Sequence, residues 1–326
     1  MYETHFGLRQ RPFRATPDTA HYYPATTHER GLARVLHAIE DGEGLVLLTA
    51  EPGLGKTLLC HVALERLGPG VASAFLTNSH VPDRLALLQA IAYELSLPHD
   101  GRSEQDTRLA LTHLLLENYA AGRRTILIAD EAHHLSADLL EELRMLGNLE
   151  ASDGKALQVI LAAQPEIAGV LQSPSMACLR QRLATRVRLE PLDLEEAADY
   201  LRHQVRVAGG RPDELLADEA LVTVAQATGG IPRLLNQAAH QAFALAHEAG
   251  ASLVDVEAVL EALCTLGLST GDTAEPSFVA KEDSGPVLAL ADPALVLAAE
   301  GPNGDFGGDS GDVDDYERVV PPKRPA

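Results

Sequence analysis

A chain of 326 residues, 46% of them hydrophobic and none of them tryptophan, is long enough to bury a substantial core and to divide into two domains and a tail. Its net charge of −21 repels phosphate backbones at long range, which disfavours broad nucleic-acid binding while leaving room for a local basic patch. Three scattered cysteines, Cys60, Cys178 and Cys264, read as small core residues of a reducing compartment. With no apolar core of signal-peptide length at the N-terminus, and the longest late apolar stretch, Pro286 to Ala299, too short and too polar to span a bilayer, the expected location is cytoplasmic, without direct membrane insertion.

In chain order, residues 1–30 are rich in aromatics and prolines (Phe6, Phe13, Pro17, Tyr22, Tyr23, Pro24) and read as an N-terminal arm packing on the core. Thr27 to Asp41 follows with helical spacing of Leu32, Val35, Leu36 and Ile39. The stretch GLVLLTAEPGLGKT, Gly44 to Thr57, is then a strand, a glycine loop and the start of a helix. Glycine backbone can curl tightly enough to aim several N–H groups at phosphate oxygens, and the helix N-terminus adds partial positive charge. The loop from Ala50 through Glu51, Pro52, Gly53, Leu54 and Gly55 to Lys56, Thr57 and Leu58 is therefore the candidate nucleotide cradle. Lys56 is placed to reach the β- and γ-phosphates and the Thr57 hydroxyl to ligate Mg²⁺. Ala50 stands where the G-x-x-x-x-G-K-[ST] pattern has its first glycine, which is tolerable if its φ is negative.

Val71 to Thr77 reads as a strand, Pro82 to Leu97 as a helix, Gly101 to Asp106 as a polar loop and Thr107 to Ala121 as an amphipathic helix. TILIADE, residues 125–131, is a strand with the apolar continuity of one buried on both faces, ending in two acids. Asp130 is placed there to hold Mg²⁺ through water and Glu131 to polarise an attacking water. DEAH at 130–133 also spells a helicase box, but the chain has neither the length for two such cores nor a basic track. His133 and His134 have no second ligand pair at helical spacing, so they are read as shaping the turn and not as a zinc site. Ala156 to Ala163 is a further buried strand, followed by Gln164, which can orient the lytic water, sense the γ-phosphate or merely cap the strand. Alternation of strands and helices predicts a three-layer α/β core with a parallel sheet, whose ligands gather beyond the carboxyl ends of the strands.

Met176 to Arg188 carries four arginines, of which Arg182 and then Arg180 are the candidates for a finger reaching a neighbouring subunit's γ-phosphate. Beyond Pro191 only helical runs remain: Leu194 to Ala208, Asp218 to Ala227, Pro232 to Ala249 and Val254 to Leu266. They predict a small all-helical domain. Gly229-Gly230-Ile231-Pro232-Arg233 sets Arg233 near a helix start, an unfavourable place for a cation unless a phosphate lies opposite. From about Thr270 the composition changes, with twelve acidic residues against four basic ones, and a disordered acidic tail is expected.

Taken together, FGLRQRPFRATPD with Tyr22 and Tyr23, AEPGLGKT, ILIADEAHHL, AAQPE, LRQRLATRVRLEPL and GGIPRLLN resemble an AAA+ ATPase, and more narrowly the general secretion pathway protein A (ExeA/GspA-type) family. The resemblance implies a P-loop NTPase (AAA+) core at 31–191, a helical lid at 192–267 and a tail at 268–326. It further implies ATP and Mg²⁺ as cofactors and hydrolysis between protomers of a ring-like homo-oligomer, with a hexamer expected. Lys56, Thr57, Asp130, Glu131 and Gln164 would act in one subunit, Arg233 from its lid, and Arg182 or Arg180 from a neighbour. Longer members of this group continue into a membrane span and a peptidoglycan-binding domain, where this chain has its acidic tail. Three readings stay open: an assembly motor for a secretion or pilus machine, a DNA-linked regulator of the transposition type, and a module that holds ATP without turning it over.

Overall fold

The computed structural model describes residues 2–151 and 154–268. Five strands pair in parallel: β1 (Leu45–Thr49), β2 (Ala72–Leu76), β3 (Thr125–Ala129), β4 (Gln158–Ala163) and β5 (Thr185–Arg188). Their order in the sheet is β2-β3-β4-β1-β5. Register brings Thr49 level with Ala163 and Arg188, and Leu76 level with Ala129, so the loops after β1, β3 and β4 leave from one edge.

Because successive strand side chains point to opposite faces, the apolar runs feed two separate cores. Leu45, Leu47, Leu127, Ala129, Val159 and Leu161 pack under α3 (Arg84–Glu94), α4 (Glu104–Ala120) and α5 (Ala137–Gly147). Val46, Leu48, Ile126, Ile128, Ile160 and Val187 pack under α1 (Thr26–Glu40) and α2 (Lys56–Leu67). This is the expected three-layer arrangement.

Three departures from expectation have local causes. α4 begins at Glu104, inside the segment read as a polar loop, because the Ser103 side chain caps it by accepting the Asp106 N–H at 3.2 Å. β5 was hidden within the arginine-rich stretch, since it is an edge strand of which Val187 alone is buried. α1 starts at Thr26, so a boundary after residue 30 cuts a continuous helix.

A second, all-helical cluster is formed by α6 (Leu194–Val207), α7 (Asp218–Thr228), α8 (Pro232–Glu248) and α9 (Val256–Thr265). α6 and α9 are capped by Asp193 and Asp255, which accept the N–H groups of Glu196 and Ala258. The N-terminal arm does not lie simply on the α/β core. Tyr2, Phe6 and Phe13 surround Phe243 of α8 with ring centroids 5.5, 5.0 and 5.4 Å away, and belong to the helical cluster. The cause is aromatic demand: Phe243 is fully buried and, among the described residues, finds its edge and tilted partners in the arm. Tyr22 packs instead against the α/β side, so the arm straddles both parts. Among the described residues no helix is long and apolar enough to cross a membrane. The tail expectation lies, but for Leu268, outside the described residues.

Candidate nucleotide-binding site

Between Thr49 and Lys56 the chain turns through a loop whose Gly53 and Gly55 both stand at φ +88°, in the left-handed region that side chains resist. Ala50 does not have a positive φ; it is fully buried and donates its N–H to the Ala163 carbonyl at 3.2 Å, which explains how alanine serves there. Gly55 then caps α2, so the helix N-terminus opens where the loop ends.

Lys56, the first residue of α2, is buried and donates from Nζ to the Ala50 carbonyl at 2.8 Å. Burial pushes its ammonium below the ordinary lysine range; Glu131 and Asp130 pull it back up, and Arg233 pushes it further down. Thr57 donates its hydroxyl to Asp130 Oδ2 at 2.5 Å. Such a hydroxyl and carboxylate pair, the carboxylate buried and the threonine half-buried, fits the hard oxygen set that a small divalent cation takes. Asp130 Oδ1 accepts the Glu131 N–H at 2.9 Å and its carbonyl accepts the Ser79 hydroxyl, fixing the carboxylate at the end of β3.

Glu131 has φ +52°, left-handed without being glycine, a conformation that costs about 1 kcal/mol or more and clusters at functional sites. It lines the cavity together with Lys56, Thr57 and Gln164. Gln164 Nε2 donates to Glu131 Oε2 at 3.2 Å. His133 Nε2 lies 3.4 Å from the same oxygen, and its Nδ1 accepts the Gln164 N–H at 3.3 Å. Ligand atoms of Glu131, His133 and His134 lie within 4.8 Å of one another, closer than their spacing in sequence foretells. Acceptance at Nδ1 leaves the ring proton on Nε2, the nitrogen turned to Glu131, which is the wrong tautomer for a metal shared with that carboxylate.

The cavity measures about 570 Å³ and is bounded by the phosphate loop, the arm (Phe13, Tyr22, Tyr23) and the helical part (Tyr200, Arg233). Pro232 opens α8, as read from sequence, and the Arg233 N–H donates to the Gly53 carbonyl at 3.3 Å. The loop residues Ala50 to Leu58, Asp130, Glu131, Gln164 and Arg233 are thus brought to one place. Arg180 and Arg182 are not. Arg180 Nη1 donates to the Leu171 carbonyl at 2.7 Å, and Arg182 lies exposed in a small cleft with Gly44 and Leu45, at the amino end of β1.

His28 was overlooked. It is buried, and its Nε2 donates to the Leu54 carbonyl at 2.7 Å, tying α1 to the phosphate loop; burial holds the imidazole below its ordinary range. A signal was there, because His28 continues the apolar stripe Leu32, Val35, Ile39 one turn toward the N-terminus, where a polar residue on a buried face needs a partner.

Comparison with known proteins agrees with this geometry. A family model described as an AAA domain matches residues 39–171. General secretion pathway protein A of Aeromonas hydrophila is 38% identical over 237 residues, which are 72% of this chain and 43% of that protein. The Holliday junction branch migration complex subunit RuvB of Dehalococcoides mccartyi is 26% identical over 245 residues, 70% of this chain and 59% of that protein. The chain therefore spans about half the length of the curated relatives it matches. In fold it is similar to the ORC2 protein of Aeropyrum pernix, with a TM-score of 0.61 at 18% identity over 78% of this chain and 71% of that one.

Proposed function

Because this chain belongs to the AAA+ ATPases, in the group of general secretion pathway protein A, we propose that it hydrolyses Mg²⁺-bound ATP in a cytoplasmic homo-oligomeric ring and spends the cycle on assembling a secretion or pilus-type envelope machine. Lys56 and the loop N–H groups bind the phosphates, while Thr57 and Asp130 hold the Mg²⁺. Glu131 draws a proton from water as its oxygen attacks the γ-phosphorus, and the bond to the β-phosphate oxygen breaks to leave ADP and phosphate. Gln164 orients that water, Arg233 reports the γ-phosphate to the lid, and Arg182 or Arg180 of a neighbour neutralises the charge that develops. The observation that carries this reading is the convergence of Lys56, Thr57, Asp130, Glu131 and Gln164 beyond the carboxyl ends of three adjacent strands.

The test compares two variants with the wild type. Lys56→Ala is expected to lose nucleotide binding or turnover, and Glu131→Gln to bind ATP and stall before hydrolysis. Wild-type steady-state ATPase in either one refutes the role given to that residue.

A second reading, a DNA-linked ATPase regulator of the transposition type, is favoured by the likeness to RuvB. The net charge of −21 weighs against it. Binding of duplex DNA that survives physiological ionic strength and falls steeply with added salt would establish it over the first.

A further inference from the structure

His133 closes a three-membered circuit. The Gln164 main-chain N–H donates to His133 Nδ1 at 3.3 Å, His133 Nε2 faces Glu131 Oε2 at 3.4 Å, and the Gln164 side chain donates to that same oxygen at 3.2 Å. Two strands are joined by it, since Glu131 and His133 follow β3 and Gln164 follows β4. One end of the imidazole reads the position of the Gln164 backbone and the other the Glu131 carboxylate, so a displacement of either is felt by both. The His133 side chain is only 11% exposed, and a ring so enclosed has few alternative rotamers to escape into.

We propose that His133 is a positioning residue for hydrolysis: in its neutral, Nδ1-accepting tautomer it holds Gln164 and Glu131 in the one arrangement that places the attacking water. The proposal rests on Glu131 being the group that activates that water. It assigns to the first histidine of the turn a task beyond shaping the chain. Protonation would undo the circuit twice, since a proton on Nδ1 opposes the Gln164 N–H, and an imidazolium pairs with the carboxylate that must accept a proton from water.

The groups facing His133 settle which form prevails near neutrality. Burial lowers its proton affinity first, the neighbouring His134 and more distant Lys56 lower it further, and Glu131 and Glu166 partly restore it. His80 stacks on His134 with ring centroids 4.0 Å apart, closing the histidine side of the cluster. The net direction is downward from the ordinary imidazole value, so the neutral ring, whose tautomer the Gln164 N–H selects, dominates at neutral pH and is lost on acidification.

The experiment is the pH profile of steady-state kcat for the full chain, its His133→Asn variant and its His133→Phe variant, with nucleotide affinity measured beside it. Asn retains an oxygen to accept the Gln164 N–H but does not titrate; Phe keeps the ring and loses both contacts. Expected are an acid limb in the wild type, its displacement to lower pH in His133→Asn, and a kcat for His133→Phe reduced about 10- to 100-fold, the scale of a small misplacement of reacting groups, with nucleotide affinity held. A His133→Asn profile that superimposes on the wild type overturns the proposal, as does undiminished kcat in His133→Phe. If His133→Phe fails to fold, the His133→Asn profile decides alone. Glu131→Gln measured in parallel separates the two failures: if it turns over, the role of Glu131 falls, and if it stalls while the His133 variants behave as wild type, this inference alone falls.

Discussion

The lid and the phosphate loop touch through backbone: the N–H of Arg233, second residue of α8, donates to the carbonyl of Gly53 at 3.3 Å. The approach is so close that a Cβ on Gly53 would stand 2.9 Å from the Arg233 Cβ and 3.1 Å from Ile231 Cγ2. Gly53 is therefore required twice, for its φ of +88° and for the room it leaves to the lid. A change at the phosphates has a direct mechanical route into α8, because the loop that would grip them is the loop the lid rests on.

Replacing Arg233 with Ala keeps that backbone bond and removes only the guanidinium. The charge is what would distinguish three phosphates from two, at about 1.5–3 kcal/mol for a hydrogen bond to a charged group. Arg233→Ala is therefore expected to weaken ATP by tenfold or more while leaving ADP nearly unaffected, as competition titrations would read. Equal losses for the two nucleotides would remove Arg233 from the γ-phosphate.

The lid's attachment depends on a different glycine. At Gly230, φ is +71° and an added Cβ would fall 1.9 Å from the Leu192 carbonyl oxygen, on the very segment whose N–H is bonded to Gly230 O at 3.0 Å. Its neighbour Gly229, at φ +57°, would meet nothing within 4 Å. The pair is a matched comparison, since Gly229→Ala bears only the backbone strain of about 1 kcal/mol, while Gly230→Ala adds a clash with main chain that cannot rotate away. Urea denaturation is expected to show Gly230→Ala losing about 3 kcal/mol or more, and Gly229→Ala about one third of that. Equal losses would mean that the α6 cap segment yields easily.

How much of this was legible beforehand follows from what each signal requires. The loop, Asp130, Glu131 and Gln164 were readable because their chemistry is local: glycines before a helix, acids and an amide at strand ends. Arg233 was readable because a cation beside a helix N-terminus is anomalous. The seating of the arm on Phe243 was not, since an aromatic segment carries no address for the aromatic it will meet more than 200 residues away. β5 escaped because a strand with one buried residue has no hydrophobic period to detect. The circuit through His133 was invisible for a third reason, that it depends on β3 and β4 being neighbours in the sheet, a fact of topology and not of spacing.

Histidine burial sets a pH dependence of stability. His28, His133, His203 and His240 are all held below the ordinary imidazole value, with burial the leading cause in each. A base whose folded pKa is depressed contributes its stability in full above the unfolded value of about 6.5 and loses it as pH falls through the folded value, because the unfolded chain takes up the proton first. Unfolding free energy is therefore expected to decline as pH falls below about 6.5, with each such group contributing at most about 1.4 kcal/mol per pH unit. His28→Gln, which can still donate to Leu54 without titrating, should flatten part of that slope in the nucleotide-free protein. A slope unchanged by the substitution would show that His28 is not among its sources.

The arginines raise the question of where catalysis is completed. Arg182 lies by Gly44 and Leu45, at the opposite end of β1 from the phosphate loop, and Arg180 is engaged with the Leu171 carbonyl. Neither lines the cavity of its own subunit, so a role in hydrolysis is expected to be played in another copy. Charge supplied in this way is worth about 10³- to 10⁵-fold in rate. The consequence is complementation: Arg182→Ala subunits retain an intact phosphate loop, and Lys56→Ala subunits retain the arginine, so a mixture holds some junctions with every group present. Each variant alone is expected to be nearly inactive and the mixture to regain part of the wild-type ATPase, with specific activity rising with protein concentration as junctions form. Mixed assemblies demonstrated by crosslinking that show no regained activity would exclude Arg182, and the same mixture built with Arg180→Ala would then decide whether the neighbouring arginine takes the part.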